Sequence, residues 1–132
     1  MKKLAILACV MTVSAGFAMA QQTVSIPFFA DGGSFAAFVG LQNTSAGTIG
    51  VTVSYLDATG SNAESGGTFS LAPGESVSFR PSTAGGGEVQ KHATDASYDF
   101  GSISMGTDGG TVAGRYVQVD GNGAFAHNVA VQ

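Results

Sequence analysis

The sequence predicts an all-β protein, a sandwich of antiparallel strands that follows an N-terminal secretory signal. Three observations support this fold class: short apolar bursts alternate with polar residues, the 132 residues include 20 glycines, and no segment has a convincing helical period. The regular recurrence of valine, isoleucine, leucine and phenylalanine distinguishes this composition from that of a disordered chain. We therefore expect about seven or eight short strands, joined by tight turns, in one domain.

Residues 1–20 have the pattern of a cleaved export signal. They begin with two lysines, continue with an apolar run too short to span a bilayer, and end in an A-x-A motif at Ala20. We expect cleavage after Ala20, which makes 21–132 the single exported β-sandwich domain. Cys9 is the only cysteine and is removed with the signal, so this domain contains no disulfide and no reactive thiol.

The charge of the chain argues against several classes of partner. The whole sequence has five basic and nine acidic residues, and two of the basic ones lie in the signal. So few lysines and arginines cannot form the basic clusters that bind nucleic acid or anionic membrane surfaces. No second long apolar run follows the signal, so we expect no membrane insertion after cleavage.

The first predicted strand lies in Gln21–Phe29. Val24, Ile26 and Phe28 alternate there with Thr23, Ser25 and Pro27, which is the two-residue period of a strand with one buried face. Pro27 has no backbone N–H to donate, and this limits the strand to the edge of a sheet.

The following segments predict four more strands. Phe35–Asn43 is apolar on both faces, which indicates a central strand or one that further chain covers. Thr48–Asp57 has one apolar face, and Gly66–Phe79 contains two short strands separated by a turn at Pro73-Gly74. We expect the inward side chains of the last three strands to lie in the core: Ile49, Val51, Val53, Tyr55, Phe69, Leu71, Val77 and Phe79.

Three further strands are predicted at Tyr98–Met105, Thr111–Asp120 and Ala124–Val131, with glycine-rich hairpin turns between them. The apolar alternation changes phase across Gly101 in the first of these strands and beyond Gly114 in the second. Because one extra residue reverses the direction of the side chains that follow, the sequence predicts a β-bulge at each of these glycines.

Part of the chain resembles a known family. The run QNTSAGTIGVTVSYLDATG resembles two central strands of bacterial secreted immunoglobulin-like domains, and FSLAPGESVSF resembles a later strand–turn–strand unit of those domains. The resemblance implies an antiparallel immunoglobulin-like β-sandwich and an extracellular setting, but no activity. The disulfide and the buried tryptophan of antibody domains have no counterpart in this sequence.

The longest predicted loop, residues 81–97, gathers with its flanks a large share of the charges. Loops of this length often carry function in compact domains, although a solvated crossing between the two sheets has the same appearance. The glycine triplet at 85–87 favours the second interpretation, because it would hold catalytic geometry poorly. Our candidate interaction surface consists of Phe38, Arg80, Glu88, Lys91, His92 and Asp95.

No sequence pattern typical of an enzyme is present. The chain has no nucleophile elbow, zinc-protease motif or phosphate loop, so we predict no catalytic residue and no cofactor. His92, Met105 and His127 are residue types that bind copper, but their spacing matches no ligand motif, and we expect no metal site. Asn43-Thr44-Ser45 matches the N-glycosylation sequon, but because the export signal is of a bacterial type, we interpret this match as accidental.

The sequence leaves two functions open. In the first, the protein is a secreted structural or interaction protein, whose partner is either another cell-surface or matrix component or a second copy of itself in a surface or extracellular filament that forms through its N-terminal strand. Val24, Ile26 and Phe28 are similar to the alternating residues with which pilin donor strands complete a neighbour's sheet. In the second, the protein is a monomeric extracellular binding module for a polysaccharide or a metal. The lack of tryptophan weakens the polysaccharide reading, because sugars usually stack on exposed indole or phenol rings.

Overall fold

The computed structural model describes residues 21–82 and 92–129, which form eight β-strands and no helix. The predicted all-β class is therefore confirmed. The predicted signal and residues 83–91 of the predicted loop lie outside the described residues. Within that described part, no helix is long and apolar enough to cross a membrane. The strands are β1 (Thr23–Ala30), β2 (Ala36–Asn43), β3 (Ile49–Asp57), β4 (Ala63–Leu71), β5 (Ser76–Phe79), β6 (Phe100–Thr107), β7 (Val112–Asp120) and β8 (Gly123–Val129).

The strands form two four-stranded antiparallel sheets. The strand order is β1-β6-β3-β4 in the first sheet and β5-β2-β7-β8 in the second. Inward side chains of both sheets pack in one apolar cluster, so the two sheets form the layers of a sandwich. The chain passes from one sheet to the other between β1 and β2, between β2 and β3, and again after β4, β5 and β6.

The core is built from the strands whose alternation is cleanest. On β3, Val51, Val53 and Tyr55 are almost fully buried, whereas Thr52 and Ser54 between them are exposed. Each large apolar side chain removed from water contributes about 1.5–3 kcal/mol to folding. The predicted inward residues of β4 and β5 are buried in the same way, so the predicted core of these three strands is confirmed.

The first strand departs from its predicted alternation. Val24 and Ile26 are buried as expected, but Phe28 is 54% exposed and the next residue, Phe29, is fully buried. The register of β1 against β6 shifts between Ile26 and Phe29, where β1 contains one residue more than its partner. This bulge reverses the phase of the side chains. The prediction that Phe28 shares a face with Val24 and Ile26 is therefore wrong.

The two bulges predicted at Gly101 and Gly114 are also wrong. Strand β6 pairs with β3, and β7 pairs with β2 and β8, without a register shift. Both glycines are present because neighbouring chain comes close: a Cβ would lie 2.3 Å from the carbonyl oxygen of Leu56 at Gly101, and 3.0 Å from Cγ1 of Val24 at Gly114. Phe100 on β6 and Val117 and Val119 on β7 lie on the outer faces of their sheets instead, whereas Tyr98 precedes β6 and packs against the core.

We expect Gly101→Ala to lower the free energy of unfolding by about 1–3 kcal/mol. The added methyl group would meet the backbone of Leu56, which the β3–β6 ladder holds in place. Gly47→Ala is the matched control, because nothing lies within 4 Å of a Cβ at that position. Urea unfolding of the two variants measures the difference, and equal stabilities would contradict the close approach.

The four edge strands lie in pairs on the two sides of the sandwich. Strands β1 and β8, the edges of the two sheets, contact each other on one side. The remaining edges, β4 and β5, lie on the opposite side. The position of β1 at an edge agrees with the limit that Pro27 sets.

Candidate functional site

An apolar cleft of about 360 Å³ opens between the sheets on the side formed by β1 and β8. Three phenylalanine rings form its rim: Phe28, Phe35 and Phe125 are 54%, 40% and 58% exposed. Tyr116 and Gln118 of β7 are almost fully buried and line its inner part. We call this site, defined by these five residues, the aromatic cleft.

Local backbone structure brings the rim together. The β1 bulge turns Phe28 outward, and a tight turn then follows in which Gly32 and Phe35 exchange backbone hydrogen bonds of 3.0 and 3.1 Å. Gly33 has a φ of 60° in that turn, a conformation that glycine adopts without strain. The Phe35 ring meets the exposed Phe100 ring edge to face, with centroids 6.4 Å apart. Exposed aromatic residues of β1, β6, β8 and the first turn are therefore concentrated on this side.

The polar groups inside the cleft join the two sheets. The Gln118 amide nitrogen donates to the carbonyl oxygen of Ala30 at 2.9 Å, and the Ala30 N–H donates to the Gln118 oxygen at 3.4 Å. The Tyr116 hydroxyl donates to the same Gln118 oxygen. Burial raises the pKa of Tyr116, and the negative charge of Asp31 adds to this effect, while a hydrogen bond to the Ala30 backbone opposes it. These groups hold β7 against β1, so the phenylalanine rim is the part of the cleft that faces outward.

A buried ion pair fixes the turn that carries Phe35. Asp31 follows β1 and is fully buried, and Arg80 Nε donates to its Oδ1 at 2.7 Å, with a second bond from Nη2 to the same oxygen. The backbone N–H groups of Ala37 and Ser82 donate to Asp31 at 3.2 and 3.0 Å. The carboxylate therefore joins the β1–β2 turn to the end of β5. Sequence reasoning missed it, since an aspartate before two glycines is also typical of an exposed turn.

The predicted interaction surface is divided by the structure. The Arg80 guanidinium carbon lies 5.7 Å from the ring centroid of Phe38 on the outer face of the second sheet, a cation–π contact. His92 is exposed, and its ring centroid lies 5.5 Å from that of Phe69 on β4, in the first sheet. Asp95 is half-buried. Two further residues of that surface lie outside the described residues: Glu88 and Lys91.

The residue types that bind copper lie on separate elements. Met105 is fully buried in the core, His92 packs on β4, and His127 belongs to β8 on the other side of the sandwich. Across residues 21–82 and 92–129, no three histidine, cysteine, aspartate or glutamate side chains cluster in a way that could hold a metal ion.

The sequon residue Asn43 has a structural role. It is fully buried, and its amide nitrogen donates to the carbonyl oxygens of Gly47 at 2.8 Å and Leu71 at 2.9 Å. Its side-chain oxygen accepts from the backbone N–H of Ser45 at 2.9 Å. Both amide hydrogens are therefore used inside the fold, and the folded protein does not present this nitrogen for glycosylation.

The predicted assembly strand pairs within its own chain. Strand β1 completes the first sheet beside β6, and Val24 and Ile26 lie in the core. Of the three predicted assembly residues, only Phe28 is at the surface, on the rim of the aromatic cleft.

The fold and the site together define a two-sheet antiparallel β-sandwich with an exposed aromatic cleft between two sheet edges. Comparison of the chain with protein-family models, curated proteins and solved structures finds no match.

Proposed function

We propose that the protein is an exported, non-enzymatic structural protein that associates with copies of itself through the side of the sandwich formed by β1 and β8. The aromatic cleft is the observation that carries this proposal. Of the five large apolar side chains exposed in the described residues, Phe28, Phe35 and Phe125 form the rim of the cleft, and a fourth, Phe100, contacts the Phe35 ring. Contiguous exposed apolar surface on a soluble protein is typical of an interaction site, and phenylalanine is enriched in interface cores.

The electrostatics of the cleft support the same function. Among the described residues, Asp120 is the one charged residue that lines it. A partner that covers the cleft therefore removes little charge from water, and the removal of charges from water is energetically costly. Two copies of an acidic chain meet there with little mutual repulsion at short range.

The finer fold assignment is part of this proposal: an immunoglobulin-like sandwich with its terminal strands exchanged. Strand β2 pairs with β5 in one sheet and β3 pairs with β6 in the other, as the second and fifth and the third and sixth strands are placed in immunoglobulin domains. However, β1 lies beside β6, and the β7–β8 hairpin lies beside β2. Strand β4 also departs from the immunoglobulin arrangement, because it pairs with β3 in the first sheet and not with β5. The pairing of the second, third, fifth and sixth strands supports the assignment, and the first, fourth, seventh and eighth strands depart from it.

Self-association through the cleft predicts a mass that increases with protein concentration. The chain would be expressed from Met1, and its intact mass would identify the mature N-terminus, which we expect after Ala20. Light scattering and sedimentation velocity would then measure the size of the mature protein. Replacing both Phe28 and Phe125 with serine should weaken the association at least tenfold, because it removes the exposed rings from the contact.

Leu56→Ser is the matched control, since Leu56 is exposed on the outer face of the first sheet and does not line the cleft. This variant should associate like the unchanged protein. If the unchanged protein remains monomeric up to millimolar concentration, the proposed function is refuted. If all three proteins associate equally, the cleft is excluded as the contact surface. Electron microscopy of concentrated protein would show whether the association continues into filaments.

A second candidate function, a monomeric polysaccharide-binding module, is supported by the outer face of the first sheet. Ser25, Ser104, Ser54 and Ser65 form one row across its four strands. Neighbouring strands are about 4.8 Å apart, so the row presents regularly spaced hydroxyl groups. Sedimentation with insoluble polysaccharides tests this candidate: loss of binding in Ser54→Glu, but not in the double phenylalanine variant, would favour it over self-association.

A further inference from the structure

We infer that β8 is the edge through which two copies of this chain pair, antiparallel and about a twofold axis at Ala126. The inference rests on the proposed self-association and names the strand that carries it. The occupant of the site is a second copy of the same strand, which adds to the second sheet and continues it.

The other three edges have features that block such pairing. Strand β1 contains Pro27 and a bulge, and β5 is four residues long. Strand β4 has a register shift against β3, and the segment that follows residue 91 lies along it: the Thr94 N–H donates to the carbonyl oxygen of Gly66 at 2.8 Å. Proline, bulges, short strands and covering chain are the means by which natural proteins protect sheet edges from association.

Among the described residues, strand β8 has none of these features. Gly123–Val129 pairs with β7 along its whole length without a register shift, and it contains no proline, lysine, arginine, aspartate or glutamate. In the described part of the chain, no strand pairs with its outer edge. An antiparallel strand with one partner leaves the N–H and C=O groups of every second residue directed away from that partner, where another strand can bind them.

The register of the pair follows from the length of the strand. Ala126 is the midpoint of Gly123–Val129, so pairing with maximal overlap places Ala126 opposite Ala126 of the second copy. The absence of charge makes the strand compatible with itself, since no like charges meet across the axis. The contact is isologous and is completed by two copies.

The same pairing also covers the aromatic clefts. Strands β1 and β8 lie on one side of each sandwich, so a twofold axis at β8 brings the clefts of both copies to that axis. Phe28 and Phe125 of each copy, both more than half exposed, then lie next to the contact. Because a seven-residue edge with its flanking rings buries less than the roughly 1,200 Å² of a standard interface, we expect a weak dimer.

A charge exchange at Ala126 tests the inference. Ala126 is exposed, so Ala126→Lys and Ala126→Glu should both fold. In each variant, like charges would face each other across the axis, and we expect the dimer dissociation constant to rise at least tenfold. An equimolar mixture of the two variants should recover the dimer, because opposite charges then face each other, and sedimentation velocity measures all three samples.

Ala113→Lys and Ala113→Glu are the matched controls. Ala113 is also exposed in the second sheet, but it lies on β7, between β2 and β8, so its replacement should leave the dissociation constant unchanged. If the unchanged protein self-associates and the Ala126→Lys variant does so equally well, β8 is not the contact, and the proposed function still stands. If each variant alone dimerises more weakly but the mixture does not recover the dimer, the register at Ala126 is wrong. An unchanged protein that never self-associates would overturn both proposals.

Discussion

Replacing Arg80 with methionine is expected to lower the free energy of unfolding by about 3–5 kcal/mol. The reason is the fully buried Asp31, whose carboxylate would lose its positive partner and two of its hydrogen bonds. A carboxylate buried without compensation is costly, whereas the methionine side chain retains much of the packing of the arginine stem. Urea unfolding monitored by circular dichroism measures the change.

Arg115→Met is the matched control for this experiment. Arg115 belongs to β7 and its side chain is exposed on the outer face of the second sheet, so the same replacement should change the stability by less than about 0.5 kcal/mol. Adding Asp31→Asn to Arg80→Met should recover part of the lost stability, because the unpaired charge is removed. Equal losses for Arg80→Met and Arg115→Met would contradict the structural role of the buried pair.

Asn43→Asp should lower the free energy of unfolding by about 3 kcal/mol or more. The two side chains have nearly the same shape, but aspartate replaces the amide group that donates to Gly47 and Leu71 with an oxygen that faces both carbonyl groups. The buried carbonyl oxygen of Leu71 and the partly buried one of Gly47 then lose their donor, and a negative charge is placed beside them. Chemical unfolding at neutral pH, well above the ordinary pKa of an aspartate side chain, measures the loss.

The preceding residue provides the control for Asn43→Asp. Gln42→Glu makes the same amide-to-acid change one position earlier, where the side chain is exposed, and should alter stability little. Because adjacent residues of a strand face opposite sides of the sheet, the pair of variants separates burial from the local effect of an added charge. Comparable losses in both variants would show that the buried hydrogen bonds of Asn43 are not the cause.

Alternation predicted the sheet positions of side chains wherever a strand has one apolar face. Val51, Val53 and Tyr55 are separated by polar residues, so only one phase of β3 buries them. In β1, Phe28 and Phe29 are adjacent and both apolar, so the sequence fits either phase equally well. The register with β6 decides between them, and this register is not visible in β1 alone.

The glycines of β6 and β7 illustrate a second limit. A glycine within an alternating segment fits a bulge and a close approach of neighbouring chain equally well. At Gly101 the neighbour is the backbone of Leu56, far away in the sequence, so only the strand order identifies the cause.

The aromatic cleft could not be predicted for the same reason. Its rim combines Phe28 and Phe35 from the start of the described chain with Phe125 from β8, and these residues meet because the edges of the two sheets share one side. The predicted loop surface, in contrast, grouped residues by proximity in the sequence. The structure places Phe38 and His92 of that group against different sheets.

The pairing of β1 with β6 also determines when the protein can finish folding. Ser25 pairs with Ser104, so β1 is synthesised long before β6, its native neighbour. Contacts between such distant segments slow folding, because a large loop has to close before they form. During this interval β1 is a strand without a neighbour, and it can capture the β6 of another molecule, which would give an exchanged dimer with the same sheets.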